Sequence, residues 1–555
     1  MEASKLDKKL NKMCKRSKAV GVNIALFDSK QIIYNYNFGF ANKEKKIKSD
    51  NNSLYMIGSN TKVITALGIL KLMEEGKLSL DDDIKKHIPE FEIKSNFEYD
   101  KITIEKLLMH RSGLISDLFA LILDKTRDYH EVISELKETY LTAMPGKMFS
   151  YSNVGYTVLG IIIERVSGLS YTEYVQQEIA KPLDIQVHFF LNEEDRLPYA
   201  STASLCYDKK GKSVEDSLST MLPAGSNTYM SLTDFIKLGQ MFLKKDTALL
   251  KRETLELMET LKLDDPVDEE VYNVGFGLIH KQYDMGEHVG KVLGHGGNTT
   301  CHHSMFNYIP DLEIGIVVMT NSQSAVGMYA NAGMTVLVDY LKEKGITVEQ
   351  AKAEQNYLEC CNEEFTGKYA TALGVMDIKQ NDKNELVTKV SKIPIKLCLC
   401  KDGYFQCKPV RAIHKIPVFK RSIQSMRLKP ATYLGEDIML FEQISKYHKT
   451  KGIIGCKYEA TDIPSSLRMA CGNYRVMNDN FKDLKCKCKL NVDKDVLILE
   501  ITALNVKLNS CLKVVSEDLA IIQGCGRLAR EMVKLKKRDD GDYLIFSGIV
   551  FKKID

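Results

Sequence analysis

The stretch Tyr55-Met56-Ile57-Gly58-Ser59-Asn60-Thr61-Lys62, followed at once by the run Val63 to Glu75, decides the fold of the chain around it. Ser59 and Lys62 are three residues apart, so on a helix their side chains are neighbours and the amine can lie against the hydroxyl. Free N–H groups and the positive dipole end at a helix N-terminus favour a serine alkoxide. Apolar residues at helical spacing, ended by Gly76, predict that helix. The stretch therefore indicates an activated serine.

The pattern S-x-x-K is weak evidence when it stands alone, because it occurs at Ser59, Ser134 and Ser510. Ser134 lies in a charged, helix-like stretch and Ser510 in a strand-like, lysine-rich one. We interpret these two as solvated surface features. Only Ser59 opens a long amphipathic helix after an apolar approach.

Two further motifs follow in order, namely Tyr151-Ser152-Asn153 and His295-Gly296-Gly297. With Ser59-x-x-Lys62 they resemble the serine β-lactamase and penicillin-binding superfamily, and specifically its class C β-lactamase-like branch (peptidase family S12, with D-aminopeptidase and esterase members). The resemblance covers about residues 20–342 and is supported by the phrases at 107–114, 145–153 and 223–226. Where many β-lactamases have Lys-Thr-Gly, this chain has His-Gly-Gly, which is closer to the peptidase and esterase members.

The fold class that follows is α/β: a β-lactamase/transpeptidase-like sandwich, in which helices flank an antiparallel sheet, with an all-helical lobe between residues 65 and 220. Alternating apolar residues predict a hairpin, a set of later strands and a closing helix. The hairpin strands are 19–27 and 32–40, the later strands are 271–279, 291–294, 303–309 and 313–320, and the helix is 325–341.

A chain of 555 residues is too long for one ordinary core. We predict a hydrolase domain at 1–345, a charged linker at 346–361 and mostly β domains at 362–460 and 461–555. The last two carry an internal repeat, because Tyr369 and Tyr474, and likewise Phe441 and Phe546, stand 105 residues apart in similar phrases. This predicts tandem β-barrels, similar in architecture to the lipocalin-like barrels of some family members.

The composition of the chain indicates which cellular compartment and which kinds of partner are expected. No apolar run is long enough to span a membrane, and Met1–Lys9 is charged without an apolar core after it, so a cytoplasmic protein is expected. The 14 cysteines show no secretory framework, and Cys398-x-Cys400 and Cys486-x-Cys488 favour core filling over a metal site.

Charge is uneven along the chain, net acidic to residue 360 and net basic beyond it. This indicates either two halves that attract each other or ordinary solvated faces. Neither a basic stripe with exposed aromatic residues nor a glycine-rich phosphate loop occurs, so no nucleic acid and no nucleotide cofactor is expected. No metal is expected either.

Each motif residue has an ordinary and a catalytic interpretation. Ser59 would be the acyl-accepting nucleophile rather than a helix cap, and Lys62 its neutral or proton-relaying partner rather than a surface lysine. Tyr151 would share protons with that pair, or would pack its ring in a loop. Asn153 would hold Lys62 and the substrate amide.

The resemblance gives the remaining site residues their roles. His295 would line the site or be a core histidine, and Gly296 and Gly297 would let a substrate backbone approach. The N–H groups of Ser59 and Asn298 would form the oxyanion hole. Three other histidines are not assigned to the site, namely His110, His302 and His303.

The function expected is that of a metal-free serine hydrolase, which forms an acyl-enzyme at Ser59 on a small peptide or ester. Peptidase or esterase activity is favoured over true β-lactamase activity. The alternative is a non-catalytic binding or self-assembling scaffold that keeps the fold. A homo-oligomer is compatible with both.

Overall fold

A seven-stranded antiparallel sheet forms the centre of the N-terminal part of this computed structural model, in the order β3-β2-β1-β11-β10-β9-β8. The residues that the structure describes are 3–122, 124, 127–214, 224–245, 247–260, 265–281, 285–349, 357, 365–371, 374–390, 393–410, 423–445, 449–478, 486–503 and 506–554. The strands of this part are β1 Gly21–Asp28, β2 Ile32–Asn42, β3 Ile47–Lys48, β4 Tyr55–Met56, β5 Cys206–Tyr207, β6 Ser213–Val214, β7 Tyr229–Met230, β8 Ile279–Lys281, β9 Val292–Asn298, β10 His303–Ile309 and β11 Ile314–Thr320.

Helices cover both faces of the sheet and build the lobe beside it. They are α1 Ala3–Ser17, α2 Thr61–Glu74, α3 Ile84–His87, α4 Ile104–Leu108, α5 Phe119–Ile122, α6 Val132–Leu136, α7 Asn153–Ser167, α8 Tyr171–Tyr174, α9 Glu193–Arg196, α10 Leu232–Lys244, α11 Arg252–Met258, α12 Pro266–Val271 and α13 Tyr329–Glu343. Within the described residues, no helix combines the length and apolarity needed to cross a membrane.

Strand β1 shows how the sequence makes two packed layers. Its alternate residues Val22, Ile24 and Leu26 face α1 and α13, whereas Ala25 and Phe27 face the core that contains α2, α7 and α10. This alternation follows from the two-residue period of a strand. Helix α2 is buried on nearly all sides, so the stretch that carries Ser59 and Lys62 runs through the centre of the larger core.

The C-terminal part forms two closed eight-stranded barrels, each with neighbouring strands in chain order. The first has β12 Gly367–Thr371, β13 Gly374–Gln380, β14 Leu386–Val390, β15 Ile393–Leu399, β16 Phe405–Pro409, β17 Met426–Tyr433, β18 Glu436–Ile444 and β19 Lys449–Lys457. The short helix α14 Ser465–Met469 precedes the second, which has β20 Gly472–Val476, β21 Lys487–Asp493, β22 Val496–Ala503, β23 Val506–Val514, β24 Leu519–Ile522, β25 Met532–Arg538, β26 Gly541–Phe546 and β27 Ile549–Lys553.

The structure confirms the fold class and the tandem barrels. The repeated tyrosines Tyr369 and Tyr474 lie in the first strand of each barrel, and Phe441 and Phe546 lie in the seventh. The hairpin β1–β2 and the closing helix α13 are also found, displaced by a few residues at their ends. The domain boundaries stay a prediction, and most of the expected linker lies outside the described residues.

Two expectations are wrong. The strand predicted at 271–279 is replaced by the end of α12, a loop and the start of β8, because Pro266 after the capping Asp265 begins a helix that continues to Val271. Ser510 is not on the surface but buried in β23, whereas Ser134 is exposed as expected.

A buried ion pair of the N-terminal part accepts a hydrogen bond from the first barrel. Arg111 Nη2 donates to Asp268 Oδ2 at 2.6 Å, and the Tyr433 hydroxyl of β17 donates to Asp268 Oδ1 at 2.8 Å. Both charged side chains are almost completely buried. Apolar residues around this contact come from all three parts of the chain, namely Met148, Val267, Ile438, Leu440, Val496 and Cys511.

We predict that Asp268→Asn lowers the melting temperature strongly. The substitution keeps the side-chain shape but leaves the buried Arg111 cation without an anion, at a cost of about 3 kcal/mol. Differential scanning fluorimetry measures the change. Glu436→Gln is the matched control, since its pair with Arg530 is partly exposed and worth at most about 1 kcal/mol. Equal melting temperatures of the two variants would contradict the prediction.

Candidate active site

Ser59 stands in a tight 3-10 turn, Gly58–Asn60, between β4 and α2. Gly58 has φ +55° and so adopts a left-handed conformation that a side chain would strain. A Cβ at Gly58 would also lie 2.9 Å from the backbone nitrogen of Asn298. The turn therefore packs directly against β9, and Ser59 is half-buried at its apex.

Lys62 is the second residue of α2, one turn after Ser59, and is completely buried. Its Nζ donates to Ser59 Oγ at 3.3 Å, to Asn153 Oδ1 at 2.7 Å and to the Gly225 carbonyl at 2.7 Å. Burial and, to a smaller extent, the Arg527 cation lower the pKa of Lys62 to about 7, while Asp117 opposes the shift. A large share of Lys62 is therefore neutral at pH 7 and able to accept a proton.

Tyr151 lies just before α7, and its hydroxyl is a hydrogen-bond partner of Ser59. Burial raises the pKa of Tyr151 to about 12, although Ser59 and Arg527 lower it. Lys62 Nζ is 5.0 Å from the centre of the tyrosine ring. Tyr151 thus keeps its proton at neutral pH, and Lys62 is the member of the pair that titrates there.

Asn153 begins α7, which Ser152 caps by accepting a hydrogen bond from the Gly155 N–H. The Asn153 amide nitrogen donates to Asp117 Oδ1 at 2.7 Å. Because a carboxylate only accepts hydrogen bonds, this contact turns the amide oxygen of Asn153 towards Lys62.

The motif His295-Gly296-Gly297 lies inside β9, one strand from the sheet edge. His295 Nδ1 is 2.6 Å from the Gly296 carbonyl, so this nitrogen donates, and the ring lies 6.4 Å from that of Tyr151. A Cβ at Gly297 would lie 1.9 Å from the Ile57 carbonyl. The close approach that Gly297 permits is therefore to the segment that carries Ser59.

Asn298 ends β9 beside the turn of Ser59. Its side chain is held by two aromatic neighbours, since the amide nitrogen donates to the Tyr329 hydroxyl at 3.3 Å and the amide oxygen contacts His303 Nδ1 at 2.8 Å. The backbone N–H groups of Ser59 and Asn298 consequently belong to adjacent segments. His302 lies apart from these residues and contacts Ser204 and Cys206.

Sequence reasoning missed Asn60. The Asn60 amide donates to the His295 carbonyl at 3.1 Å and accepts from the Gly297 N–H at 3.2 Å. It also accepts from the Ser304 hydroxyl at 2.8 Å. This side chain locks the turn of Ser59 onto β9, and its position next to Ser59 is the only sequence signal that could have found it.

His110, which the sequence analysis left out of the site, lies directly under Tyr151. Its ring stacks on that of Tyr151 with centroids 4.3 Å apart, and its Nδ1 accepts from the Ser152 N–H at 3.0 Å. Burial, with Lys62, His295 and Arg527 nearby, holds the pKa of His110 well below its ordinary value of 6.5. A neutral imidazole thus supports the tyrosine ring.

Asp117 and Arg527 complete the site. Arg527 donates to Asp117 Oδ2 twice, from Nε at 2.9 Å and from Nη2 at 2.6 Å. Asp117 is 1% exposed and Arg527 is 50% exposed. Because Arg527 belongs to the second barrel, more than 400 residues from Asp117, no local pattern could have indicated this pair. Among the described residues, no group of three His, Cys, Asp or Glu side chains is arranged to hold a metal ion.

We predict that Lys62 makes thermal stability depend on pH. Its pKa of about 7 in the folded chain lies below the ordinary 10.5, so the unfolded chain binds more protons between these values. The free energy of unfolding of the wild type, relative to that of Lys62→Met, should therefore rise by up to about 1.4 kcal/mol per pH unit from pH 7 to 9. This gain is lost as the pH falls through 7.

Melting temperatures of wild type and Lys62→Met across pH 6 to 9 test this. Lys9→Met, which removes an exposed lysine, supplies the baseline. A constant difference between wild type and Lys62→Met over this range would show that Lys62 does not titrate near pH 7.

Comparison with known families places the geometry in context. Residues 6–338 match the family model described as Beta-lactamase. Since this match covers more than half of the chain, the protein belongs to the beta-lactamase family.

Several curated relatives share part of the chain. Protein flp of Staphylococcus aureus (strain N315) is 35% identical over 180 residues, which are 32% of this chain and 36% of that protein. The putative penicillin-binding protein PbpX of Bacillus subtilis (strain 168) is 29% identical over 260 residues, 46% of this chain and 61% of that protein. The match thus spans about a third of the length of Protein flp.

Solved structures share the fold over most or all of the chain. The octameric penicillin-binding protein homologue from Pyrococcus abyssi has a TM-score of 0.54 and 23% identity, and the match covers 100% of both chains. SurE with D-Leu has a TM-score of 0.57 and 19% identity, and covers 79% of this chain and 97% of SurE. These likenesses establish the fold.

Proposed function

We propose that the protein is a serine hydrolase that forms an acyl-enzyme at Ser59 on an ester or amide. The observation that carries the proposal is the contact of Lys62 Nζ with Ser59 Oγ at 3.3 Å, made by a buried lysine whose pKa of about 7 leaves it able to take the serine proton. A lysine on an ordinary surface would be protonated and could not act as a base.

In the acylation step, Ser59 Oγ attacks the substrate carbonyl carbon while its proton passes to neutral Lys62. The carbonyl oxygen becomes an oxyanion, which the N–H groups of Ser59 and Asn298 would stabilise by about 3 kcal/mol each. Collapse breaks the bond to the leaving group, which receives a proton from Lys62 through the Tyr151 hydroxyl. The reverse sequence, with water in place of the leaving group, releases the acid and restores Ser59.

The contacts divide the roles between orientation and proton transfer. Asn153 and the Gly225 carbonyl hold the amine of Lys62, and His110 holds the ring of Tyr151. Asn60 fixes the turn of Ser59 against β9. Such fixed geometry is what converts a weak alcohol into an efficient nucleophile.

We predict that a fluorophosphonate probe labels Ser59 at one adduct per chain, because the activated hydroxyl attacks the phosphorus atom and displaces fluoride. Intact-mass spectrometry followed by peptide mapping measures it. Ser59→Ala should carry no adduct, and Ser134→Ala, which removes another serine of an S-x-x-K pattern, should react as the wild type does. An adduct on Ser59→Ala would contradict the assignment of Ser59 as the nucleophile. An unlabelled wild type would favour the alternative, a binding or self-assembling scaffold.

The substrate class is proposed from His295. A lysine at this position would be a permanent cation suited to the carboxylate of a β-lactam or of a C-terminal D-alanine. His295 instead donates Nδ1–H to its own neighbour's carbonyl, and an imidazole, unlike a lysine amine, is not a permanent cation. Uncharged esters and amino-terminal amides are therefore the favoured substrates, as expected for the peptidase and esterase members of the class C β-lactamase-like branch.

We predict that kcat/KM for p-nitrophenyl esters or aminoacyl anilides exceeds that for nitrocefin. His295→Lys should shift the ratio towards nitrocefin by about tenfold, the worth of one charge-assisted hydrogen bond. His288→Lys, a change at a histidine outside the site, is the control for added charge. A wild-type preference for nitrocefin over every ester and anilide would refute the argument from His295.

We also propose that the protein is cytoplasmic and forms a homo-oligomer. No disulfide bond links the cysteines that the structure describes, which suits a reducing cytoplasm. Burial also raises the pKa of several of them, such as Cys14 and Cys456 to about 11. A homo-oligomer is proposed from the octameric relative of the same architecture.

A further inference from the structure

A loop of the second barrel enters the candidate active site from outside the region that matches the family model. This loop joins β24 to β25 and covers residues 523–531. The Leu528 N–H donates to Ser116 Oγ at 2.9 Å, and Glu531 Oε1 accepts from the Ser116 N–H at 2.8 Å. Both contacts follow Arg527 in the loop and hold this segment against Ser116, the neighbour of Asp117.

Arg527 connects to Lys62 through two intervening side chains. It donates to Asp117 Oδ2 at 2.6 and 2.9 Å, Asp117 Oδ1 accepts from Asn153 at 2.7 Å, and Asn153 Oδ1 accepts from Lys62 Nζ at 2.7 Å. The guanidinium carbon also lies 5.9 Å from the centre of the Tyr151 ring. Each of these hydrogen bonds is short, so a displacement of Arg527 would be transmitted through Asp117 and Asn153 to Lys62.

We propose that Arg527 is a positioning residue for acyl transfer at Ser59: through Asp117 and Asn153 it holds Lys62 in place, and as a fixed cation it keeps the lysine amine neutral. The second barrel would then be part of the catalytic machinery. This inference rests on the proposed function and adds the control of its proton transfer.

The charges around Lys62 make the proposal specific. The titratable or charged groups that face it from the surrounding elements are Tyr151, Tyr156, His110, His295, Asp117 and Arg527, with Glu531 behind the pair. Burial raises the pKa of Glu531 to about 8, so this acid is mostly neutral at pH 7, and His110 is neutral as well. Arg527 and Asp117 are the two groups that carry charge and act in opposite directions on the pKa of Lys62.

The two partners of one ion pair should consequently have opposite effects. Without the Arg527 cation, Lys62 faces an uncompensated carboxylate and binds its proton more tightly. Without the Asp117 charge, Lys62 faces an uncompensated cation and releases its proton more easily. A purely structural role of the pair would lower the rate at every pH and leave the midpoint unchanged.

The test is the pH dependence of the rate at which the fluorophosphonate labels Ser59, measured on the full chain between pH 5.5 and 9.5. The rate of the wild type should rise with pH around a midpoint near 7, where Lys62 becomes neutral. Arg527→Gln should move the midpoint up by about one pH unit, and Asp117→Asn should move it down by a similar amount.

Two variants separate charge from shape. Arg527→Lys keeps the cation and should restore most of the wild-type midpoint. Arg530→Gln changes an arginine three residues away in the same loop, whose guanidinium binds Glu436 of the first barrel, and should leave the midpoint where it was. Circular dichroism checks the fold, and if Arg527→Gln does not fold, Asp117→Asn and Arg527→Lys carry the test.

Shifts of the same sign in Arg527→Gln and Asp117→Asn, or no shift in either, would overturn the proposal. A rise in KM for a small ester with kcat and midpoint unchanged in Arg527→Gln would also overturn it, because Arg527 would then bind substrate. An unlabelled wild type contradicts the proposed function and removes this inference with it, whereas a labelled wild type with unmoved midpoints contradicts the inference alone.

Discussion

The burial of one lysine amine is the constraint on which the rest of the site depends. Lys62 sits inside α2, a helix surrounded by core on nearly all sides, and water cannot reach its Nζ. A buried ammonium is costly, so the amine is close to losing its proton, and its remaining bonds must come from the protein. Asn153 and the Gly225 carbonyl supply them from two different segments.

This arrangement requires several segments of the N-terminal part to be placed accurately around Lys62 and Ser59. The lobe must place α7 so that Asn153 reaches the amine, and β9 must support the turn of Ser59 through Asn60. The glycines near the serine serve the same end, since Gly58 and Gly297 allow the turn and the strand to touch. The chain accepts a turn that requires glycine at position 58 and a buried amine at Lys62, which are features that stability alone would not favour.

The two barrels also contribute contacts that hold the surroundings of Lys62 in place. The Arg111–Asp268–Tyr433 contact fixes the first barrel to the lobe, and the loop 523–531 fixes the second. Through this second contact a cation from the far end of the chain faces the carboxylate that orients Asn153. The two parts have opposite net charge, yet these contacts are a few specific pairs, each with at least one buried member, rather than a diffuse attraction.

The sequence by itself determined the features that depend on local spacing. Ser59 and Lys62 meet because three residues make most of a helical turn, β1 alternates because a strand has a period of two, and the 105-residue repeat gives two similar barrels. Local pattern misread the segment 271–279 because a capped Pro266 helix overrode its β-branched residues. Only the tertiary structure decided that His110 stacks on Tyr151 and that Arg527 reaches Asp117. The reason is that contacts between distant segments depend on how whole elements pack, and no period or spacing within the chain records that packing.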